Sequence, residues 1–220
     1  MPPILRISGV LGGGAPPSFS CTLTGIPATP LEIGAQLINP TFNASYSGVP
    51  VAASISDTEG NPPQNVLAVP NPITRPFTYQ KNGNGQTVTF TLTANDGGPP
   101  AVSNVVYTWL PRVFFGVSAL ATLTEAQIEA LAGSALASSY PRSFTTSPTA
   151  QYVYYAWPAS FGNATPLSFQ TPPPFPGGWV EMAGSPISIT ANTAGAPTQN
   201  YRVWRTVNLL TAVSVLTVVS

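Results

Sequence analysis

The sequence predicts an all-β protein: an immunoglobulin-like β-sandwich, then a second small β-sandwich or sheet domain with one short α-helix. First, 26 prolines and 19 glycines lie between runs of Val, Ile, Phe, Tyr and Thr, which is typical of short strands joined by turns. Second, apolar residues alternate with four threonines in residues 87–94, the period of a strand with one buried face. Third, helical periodicity is confined to residues 124–138.

Residues 31–110 are predicted to form the immunoglobulin-like sandwich. About seven short strands in about eighty residues, separated by turn signals, are typical of this architecture. Cys21 is the only cysteine, so the disulfide of antibody domains is absent and a buried, inert thiol is expected. Residues 1–30 are predicted to form an arm or the first strands, in contact with this domain or with a neighbouring chain. The predicted strands are 4–10, 18–24, 32–37, 41–47, 51–57, 77–79, 87–94 and 104–109.

The predicted joint between the two domains is the pair Pro111-Arg112. Residues 104–109 close the first domain and residues 113–117 open the second, which spans residues 111–220. Proline lacks an amide donor and restricts its own backbone, so it interrupts a central strand. A linker of so few residues predicts two domains held in a nearly fixed relation.

The second domain is predicted to contain the one helix, at about residues 124–138. Thr124 and Gln127 have the spacing of a capping box, and Glu125 lies in the first turn, where the helix dipole favours an anion. Apolar residues at helical spacing follow, and the segment ends near Pro141. The predicted strands of this domain are 113–117, 151–157, 165–170, 179–183, 187–191, 200–206 and 212–219.

Charge is scarce and balanced. Only 6% of the residues are charged, with seven acidic and seven basic side chains, whereas about 25% is usual. Such a chain lacks the basic patch of a nucleic-acid-binding or anionic-lipid-binding protein, and its near-zero net charge favours association. We therefore expect a homo-oligomer that binds no nucleic acid. No apolar run reaches the roughly 18 residues of a membrane span and no signal peptide is evident, so we expect synthesis in a cytoplasm without membrane insertion.

Catalytic chemistry has little support. The chain contains no histidine, the commonest general base and metal ligand. We therefore expect no catalytic, cofactor-binding or metal-binding residues, although a carboxylate hydrolase stays open. The acidic pair Asp57/Glu59 is most simply interpreted as part of a polar turn. The pair Glu125/Glu129 is most simply interpreted as part of a solvated helix face. Alternating oxygen side chains in residues 57–61 are also compatible with a calcium site.

Aromatic residues cluster in the second domain and are the candidate interaction residues. Residues 151–157 have aromatic or apolar side chains at both alternating positions, which predicts a strand with one face on the core and the other on a neighbouring chain. Tyrosine and tryptophan are also suited to stacking on sugar rings. The aromatic cluster can therefore be interpreted as core, as a subunit interface or as a glycan-binding platform. The candidate residues are Tyr152, Tyr154, Tyr155, Trp157 and Trp179.

Residues 112–219 resemble tailed-bacteriophage virion proteins from tail, baseplate and fibre modules. The resemblance lies in the order and spacing of short motifs. They are Arg112-Val113-Phe114-Phe115-Gly116-Val117, Leu123-Thr124-Glu125-Ala126-Gln127-Ile128, Tyr152-Val153-Tyr154-Tyr155-Ala156-Trp157-Pro158, Pro176-Gly177-Gly178-Trp179 and Tyr201-Arg202-Val203-Trp204-Arg205-Thr206. Residues 31–110 are similar, more loosely, to the immunoglobulin-like module that often precedes these motifs. The three prolines at 172–174 depart from the pattern.

The resemblance implies a structural, non-enzymatic virion component made in the host cytoplasm. It would be associated with the tail, the baseplate or a tail fibre, and would contact other copies of itself and other virion proteins. One alternative is a host-attachment module that binds a receptor or host-surface glycan. The other is a capsid decoration protein.

Overall fold

The computed structural model describes residues 18–26, 30–163, 167–169, 178–190, 197–211 and 214–219, and it confirms the all-β class. The predicted strand 4–10 lies outside these residues. The first half contains β1 (Cys21–Ile26), β2 (Leu31–Glu32), β3 (Gln36–Ile38), β4 (Thr41–Tyr46), β5 (Ala52–Asp57), β6 (Gln64–Asn65), β7 (Ile73–Thr74), β8 (Thr78–Gln80), β9 (Gln86–Asn95) and β10 (Ala101–Leu110).

These strands form two main sheets around one core. The orders are β1-β4-β7 and β2-β10-β9-β5-β6, with β3 and β8 as a separate pair. Strands β9 and β10 form a long antiparallel hairpin in which Ala94 pairs with Ala101 and Gln86 with Trp109. Alternate side chains of a strand point to opposite faces, so β9 directs Phe90 inward, where it meets Phe42 at a centroid distance of 4.7 Å.

The predicted strand 32–37 is wrong at its centre. Gly34 has a positive φ of 77°, and the amide of Ala35 donates to the carbonyl of Glu32 at 3.0 Å. A tight turn therefore divides this segment into β2 and β3. Glycine adopts this backbone conformation without the steric penalty of a β-carbon, so the turn overrides the apolar character of the neighbouring residues.

The second half contains the remaining strands and the helices. They are β11 (Arg112–Ser118), α1 (Glu125–Glu129), β12 (Gly133–Leu136), β13 (Arg142–Thr146), β14 (Tyr152–Pro158), a 3-10 helix (Ala159–Phe161), β15 (Leu167–Phe169), β16 (Trp179–Glu181), β17 (Ile187–Thr190), β18 (Thr198–Thr206) and β19 (Val215–Val219). One sheet has the order β12-β11-β14-β18-β16, with β17 also paired to β18, and a smaller sheet has the order β13-β19-β15.

The larger sheet of the second half has an apolar cluster on each face. One cluster contains Val113, Tyr155 and Trp157 together with Phe144 and Val215 of the smaller sheet. The other contains side chains from the opposite face, such as Tyr154 and Tyr201, together with Ile128 of α1. Both faces of this sheet are therefore covered within the chain.

The predicted helix 124–138 is mostly wrong. Helix α1 has five residues, and residues 133–136 form the edge strand β12, which pairs antiparallel with β11. The start was anticipated correctly, because the amide of Thr124 donates to Oε1 of Gln127 at 2.9 Å. Gly133 lies directly against the Phe115 ring, and an isolated helix of about 12 residues is marginal in any case. Pairing with β11 therefore outweighs the helical periodicity. Within the described residues no helix is long and apolar enough to cross a membrane.

The joint between the two halves is one residue long. Strand β10 ends at Leu110 and β11 begins at Arg112, with buried Pro111 between them. The guanidinium of Arg112 binds the carboxylate of Glu32 with two hydrogen bonds, of 3.0 and 2.7 Å. The carbonyl of Arg112 accepts a bond from the Tyr201 hydroxyl at 2.7 Å. Arg112 thus links β2 of the first half to β18 of the second.

Candidate functional site

Strand β14 holds four of the five aromatic candidates. Tyr154, Tyr155 and Trp157 are each fully buried. Tyr154 points to the cluster that contains Ile128, and the other two point to the opposite cluster. Of the three alternatives, core, interface and glycan platform, the burial of these three rings favours the core, because both faces of β14 are covered by the chain's own strands and helix.

The polar atom of each of these buried rings also forms a hydrogen bond within the chain. The hydroxyl of Tyr154 donates to the carbonyl of Leu120 at 2.6 Å, and that of Tyr155 donates to the carbonyl of Tyr140 at 2.6 Å. The indole of Trp157 donates to the carbonyl of Gly162 at 3.1 Å. Burial raises the pKa of Tyr154 to about 12, so this phenol stays neutral and acts as a donor. The three rings are core residues.

The remaining two candidates, Tyr152 and Trp179, are only partly buried. They cannot form one platform, because Tyr152 packs on the cluster with Ile128 and Trp179 on the cluster of the opposite face. The guanidinium carbon of Arg205 lies 4.3 Å from the Tyr152 ring centre, so one side of that ring is occupied by a cation–π contact.

The acidic turn at residues 57–61 is an internal ion-pair site. Arg75 is fully buried, and its guanidinium binds a carboxylate oxygen of Asp57, whose side chain is also fully buried. The hydroxyl of Tyr79 donates to the same carboxylate at 2.9 Å. Glu59 binds Lys81 instead. The two acids therefore face different cations, which does not fit the calcium alternative. In the described part of the chain, no group of three or more potential ligands is placed to bind a metal ion.

The hydrogen bonds around Asp57 shift its titration. Burial alone raises the pKa of this carboxyl, but hydrogen bonds from Arg75, Tyr79 and Asn61 outweigh burial and hold the pKa below its usual 3.8. Burial and the neighbouring Asp57 raise the pKa of Tyr79 to about 12. Because the folded state favours the ionised carboxylate, Asp57 stabilises the fold above its unfolded pKa and loses that contribution as the pH falls through the folded value.

We expect the stability difference between the wild-type chain and Asp57→Asn to depend on pH. It should be largest near neutral pH and shrink as the pH falls below the usual carboxyl pKa of 3.8, because a protonated Asp57 resembles asparagine. Denaturant unfolding followed by circular dichroism over a pH series measures it. Asp96→Asn in the exposed β9–β10 turn is the control, with an expected effect within about 0.5 kcal/mol. A difference that is constant with pH would contradict this role of Asp57.

A cavity of about 530 Å³ lies at the joint. Its lining includes Arg112, the apolar ring of Phe114 and three carboxylates, those of Glu32, Glu125 and Glu129. Two of these carboxylates have structural partners: Glu32 binds Arg112, and Oε1 of Glu125 accepts the amide of Thr190 at 2.8 Å. These contacts join β2 to β11 and α1 to β17.

A further exposed feature of regular geometry is the outer face of the β5-β9-β10 sheet, named here the uncharged face. The registers of β9 with β5 and β10 bring alternate residues of the three strands into rows. Val102 and Val106 are 57% and 46% exposed. None of the outward residues carries a charge: Ala52, Ser54 and Ser56 on β5; Thr87, Thr89, Thr91, Thr93 and Asn95 on β9; Val102, Asn104, Val106 and Thr108 on β10.

Sequence reasoning identified the outward threonines of β9 but missed this surface and the role of Arg75. The signal for the surface was present, since the outward positions of three strands all lack charge. It could be read only once the pairing of non-adjacent segments was known. Arg75 had no such signal, because its partner Asp57 is 18 residues away in a segment that reads as a polar turn.

No protein-family model, curated protein or solved structure matches the chain. The resemblance of residues 112–219 to tailed-phage virion proteins therefore stays a prediction from the residues.

Proposed function

We propose that the chain is a structural component of a tailed-bacteriophage virion, associated with the tail, the baseplate or a fibre, and that it acts by protein–protein assembly. The virion assignment is supported by the order of motifs in residues 112–219. The observation that carries the assembly mechanism is the uncharged face. The aromatic faces of β14 are internal, so assembly through them is not part of the proposal.

The uncharged face suits a protein partner because it contains no ion to desolvate. Buried charges lose several kcal/mol of hydration each, and the cores of interfaces are depleted of charged residues. Threonine and valine are β-branched and have few rotamers to lose on contact. The exposed valines Val102 and Val106 supply apolar area, and the threonines between them supply hydroxyl groups that donate or accept hydrogen bonds.

The size of the face indicates that a contact between one pair of subunits has a low affinity. Two strands about 30 Å long and one about 20 Å long, spaced about 4.8 Å apart, cover roughly 400 Å², whereas a standard stable interface buries about 800 Å² on each partner. A particle presents many copies, and simultaneous contacts raise the overall affinity far above that of one contact. Such a face fits a repeated subunit of an assembly.

We expect Val106→Arg to abolish self-association of the chain, because the arginine places an unpaired charge in the middle of the face. Sedimentation velocity at increasing protein concentration measures the change. Val207→Arg is the matched control: Val207 is 44% exposed, lies outside the face and should leave association unchanged. A wild-type chain that stays monomeric at high concentration, or equal effects of the two variants, would contradict the proposal.

The position in the particle is tested by immuno-electron microscopy of intact virions with antibodies against this chain. Labelling of the tail, baseplate or fibres is the expected result. Labelling of the head would favour the decoration-protein alternative, and unlabelled particles would exclude a virion component. This experiment is independent of the solution behaviour of the isolated chain.

A further inference from the structure

Strand β12 forms an open edge of the larger sheet of the second half. Among the described residues, the backbone of β12 pairs only with β11. The amide of Ala137 donates to the carbonyl of Pro111 at 3.0 Å, and the direction of backbone hydrogen bonds alternates along an antiparallel strand. Ser134 and Leu136 therefore direct their amide and carbonyl groups to the open edge, away from β11.

The sequence of β12 lacks the features that usually protect an exposed edge. Natural sheets block such edges with charged side chains, prolines or bulges. Residues 132–137 read Ala-Gly-Ser-Ala-Leu-Ala, with no charge and no proline, and the register with β11 is continuous from Gly133 to Leu136. Ala132 and Ser134 are exposed. The edge is therefore open to an extended segment that adds to the sheet through main-chain hydrogen bonds, the mode called β-augmentation.

Two cavities flank this edge, one on each face of the sheet. The cavity at the joint, named here the joint cavity, includes Phe114 and Ser134 in its lining. A second cavity of about 270 Å³, named here the edge cavity, includes Phe115, Val117 and Gly133. Phe114 and Phe115 pack on the apolar clusters of opposite faces. Successive residues of an added strand would therefore face one cavity and then the other.

The linings of the two cavities differ in charge. Three carboxylates and one guanidinium line the joint cavity, so its net charge is negative. Glu32 and Glu125 have structural partners, whereas the exposed carboxylate of Glu129 forms no hydrogen bond or ion pair with a described residue. No charged residue is among the described residues that line the edge cavity. A cation suits the first cavity and a small apolar side chain suits the second.

We propose that the edge of β12 binds an extended segment of a different protein, in which a lysine or arginine lies between small aliphatic residues. The neighbouring strands of this sheet pair antiparallel, and the bound segment does the same. Its cationic residue lies opposite Ser134, exchanges two main-chain hydrogen bonds with it and directs its side chain into the joint cavity towards Glu129. The adjacent aliphatic residue lies opposite Gly133 and enters the edge cavity.

Charge complementarity favours this partner over a second copy of the chain. Two copies that paired through their β12 edges would bring no cation to either joint cavity, because residues 132–137 carry no charge. The edge lies in the second half of the chain and the uncharged face in the first half. The inference therefore does not rest on the proposed function.

Binding of a fluorescent peptide, Thr-Val-Lys-Val-Thr, tests the open edge by anisotropy. We expect Ser134→Pro to weaken binding about tenfold, because proline removes an outward amide from the ladder. Proline is tolerated on an edge strand when its nitrogen faces away from the sheet. Ser134→Ala is the matched control, since both variants lose the hydroxyl to which Arg112 donates, but alanine keeps the amide and should bind the peptide like the wild type.

Variants of the peptide test the cation and the ladder separately. Glutamate in place of the lysine is expected to weaken binding about fivefold, and Glu129→Lys should reverse the preference between the two peptides. Methylation of the backbone nitrogen of the lysine is expected to weaken binding about tenfold, because it removes the other hydrogen bond of the pair. This comparison uses the wild-type chain and does not depend on the folding of a variant.

Amide hydrogen exchange, followed by nuclear magnetic resonance, locates the bound peptide. We expect exchange at Ser134 and Leu136 to slow when the peptide is present. No binding at millimolar peptide, equal binding of the lysine and glutamate peptides, or an unaffected N-methylated peptide would overturn the inference. Self-association that Ser134→Pro abolishes and the peptide does not displace would assign the edge to a second copy, and would overturn it too.

Discussion

Replacing Arg75 with alanine is expected to lower the free energy of unfolding by about 3–5 kcal/mol, because it leaves the Asp57 carboxylate buried without its cation. The Arg75 guanidinium also donates to the carbonyls of Pro62 and Ile55, at 3.0 and 3.4 Å, and lies 4.8 Å from the Phe77 ring centre. One side chain thus holds the end of β5, the loop after it and the segment after β7. Denaturant unfolding followed by circular dichroism measures the loss.

A partly exposed ion pair provides the matched control for Arg75. Arg202 and Glu181 are bonded at 3.0 Å, with side chains that are 29% and 33% exposed, so Arg202→Ala is expected to cost at most about 1 kcal/mol. The double variant Asp57→Leu with Arg75→Met removes both buried charges and should recover part of the loss. Equal costs for Arg75→Ala and Arg202→Ala would refute the structural role of the buried pair.

Replacing Trp157 alone with alanine is expected to lower the free energy of unfolding of the wild-type chain by about 3–5 kcal/mol. Trp157 is fully buried, and its ring centre lies 5.2 Å from Tyr155, 5.8 Å from Tyr140 and 6.3 Å from Trp204. The truncation leaves a cavity among three aromatic rings and removes the donor to Gly162. The measurement is again denaturant unfolding, followed by far-ultraviolet circular dichroism because the change removes a fluorophore.

This prediction also distinguishes a core ring from a binding ring. A tryptophan that serves a glycan or a partner would lose binding on truncation and keep the stability of the isolated chain. Trp179→Ala is the comparison, since Trp179 is only partly buried and should cost less. A Trp157→Ala chain as stable as the wild type would show that the ring is not part of the core.

The strands with strong period two were predictable from local sequence. Residues 87–94 became β9 (Gln86–Asn95) and residues 41–47 became β4 (Thr41–Tyr46). Errors occurred where local pattern and pairing disagree. Residues 133–136 carry part of a helical pattern, yet they add to the edge of β11. The amides and carbonyls of β11 gain partners only if that segment is extended, and this benefit depends on residues about twenty positions away.

The candidate site was less predictable than the fold. The apolar character of both faces of β14 was evident in the sequence, and it indicated two covering surfaces. It did not reveal that α1 and the sheet β13-β19-β15 supply those surfaces within the same chain, because contacts between distant segments leave no local periodicity. The ion pair of Asp57 and Arg75 was hidden for the same reason.

The all-β class, most strand positions and the scarcity of charge follow from the sequence, because turn residues, alternation and composition act over a few neighbouring residues. Which strand faces are buried within the chain, and which stay exposed, follows from the packing of segments far apart in the chain. Packing made the aromatic strand β14 a core element and placed a buried arginine between two sheets. It also left the uncharged face exposed. A strand presents the same alternation whether its second face meets its own chain or a neighbour, so only the three-dimensional arrangement distinguishes the two.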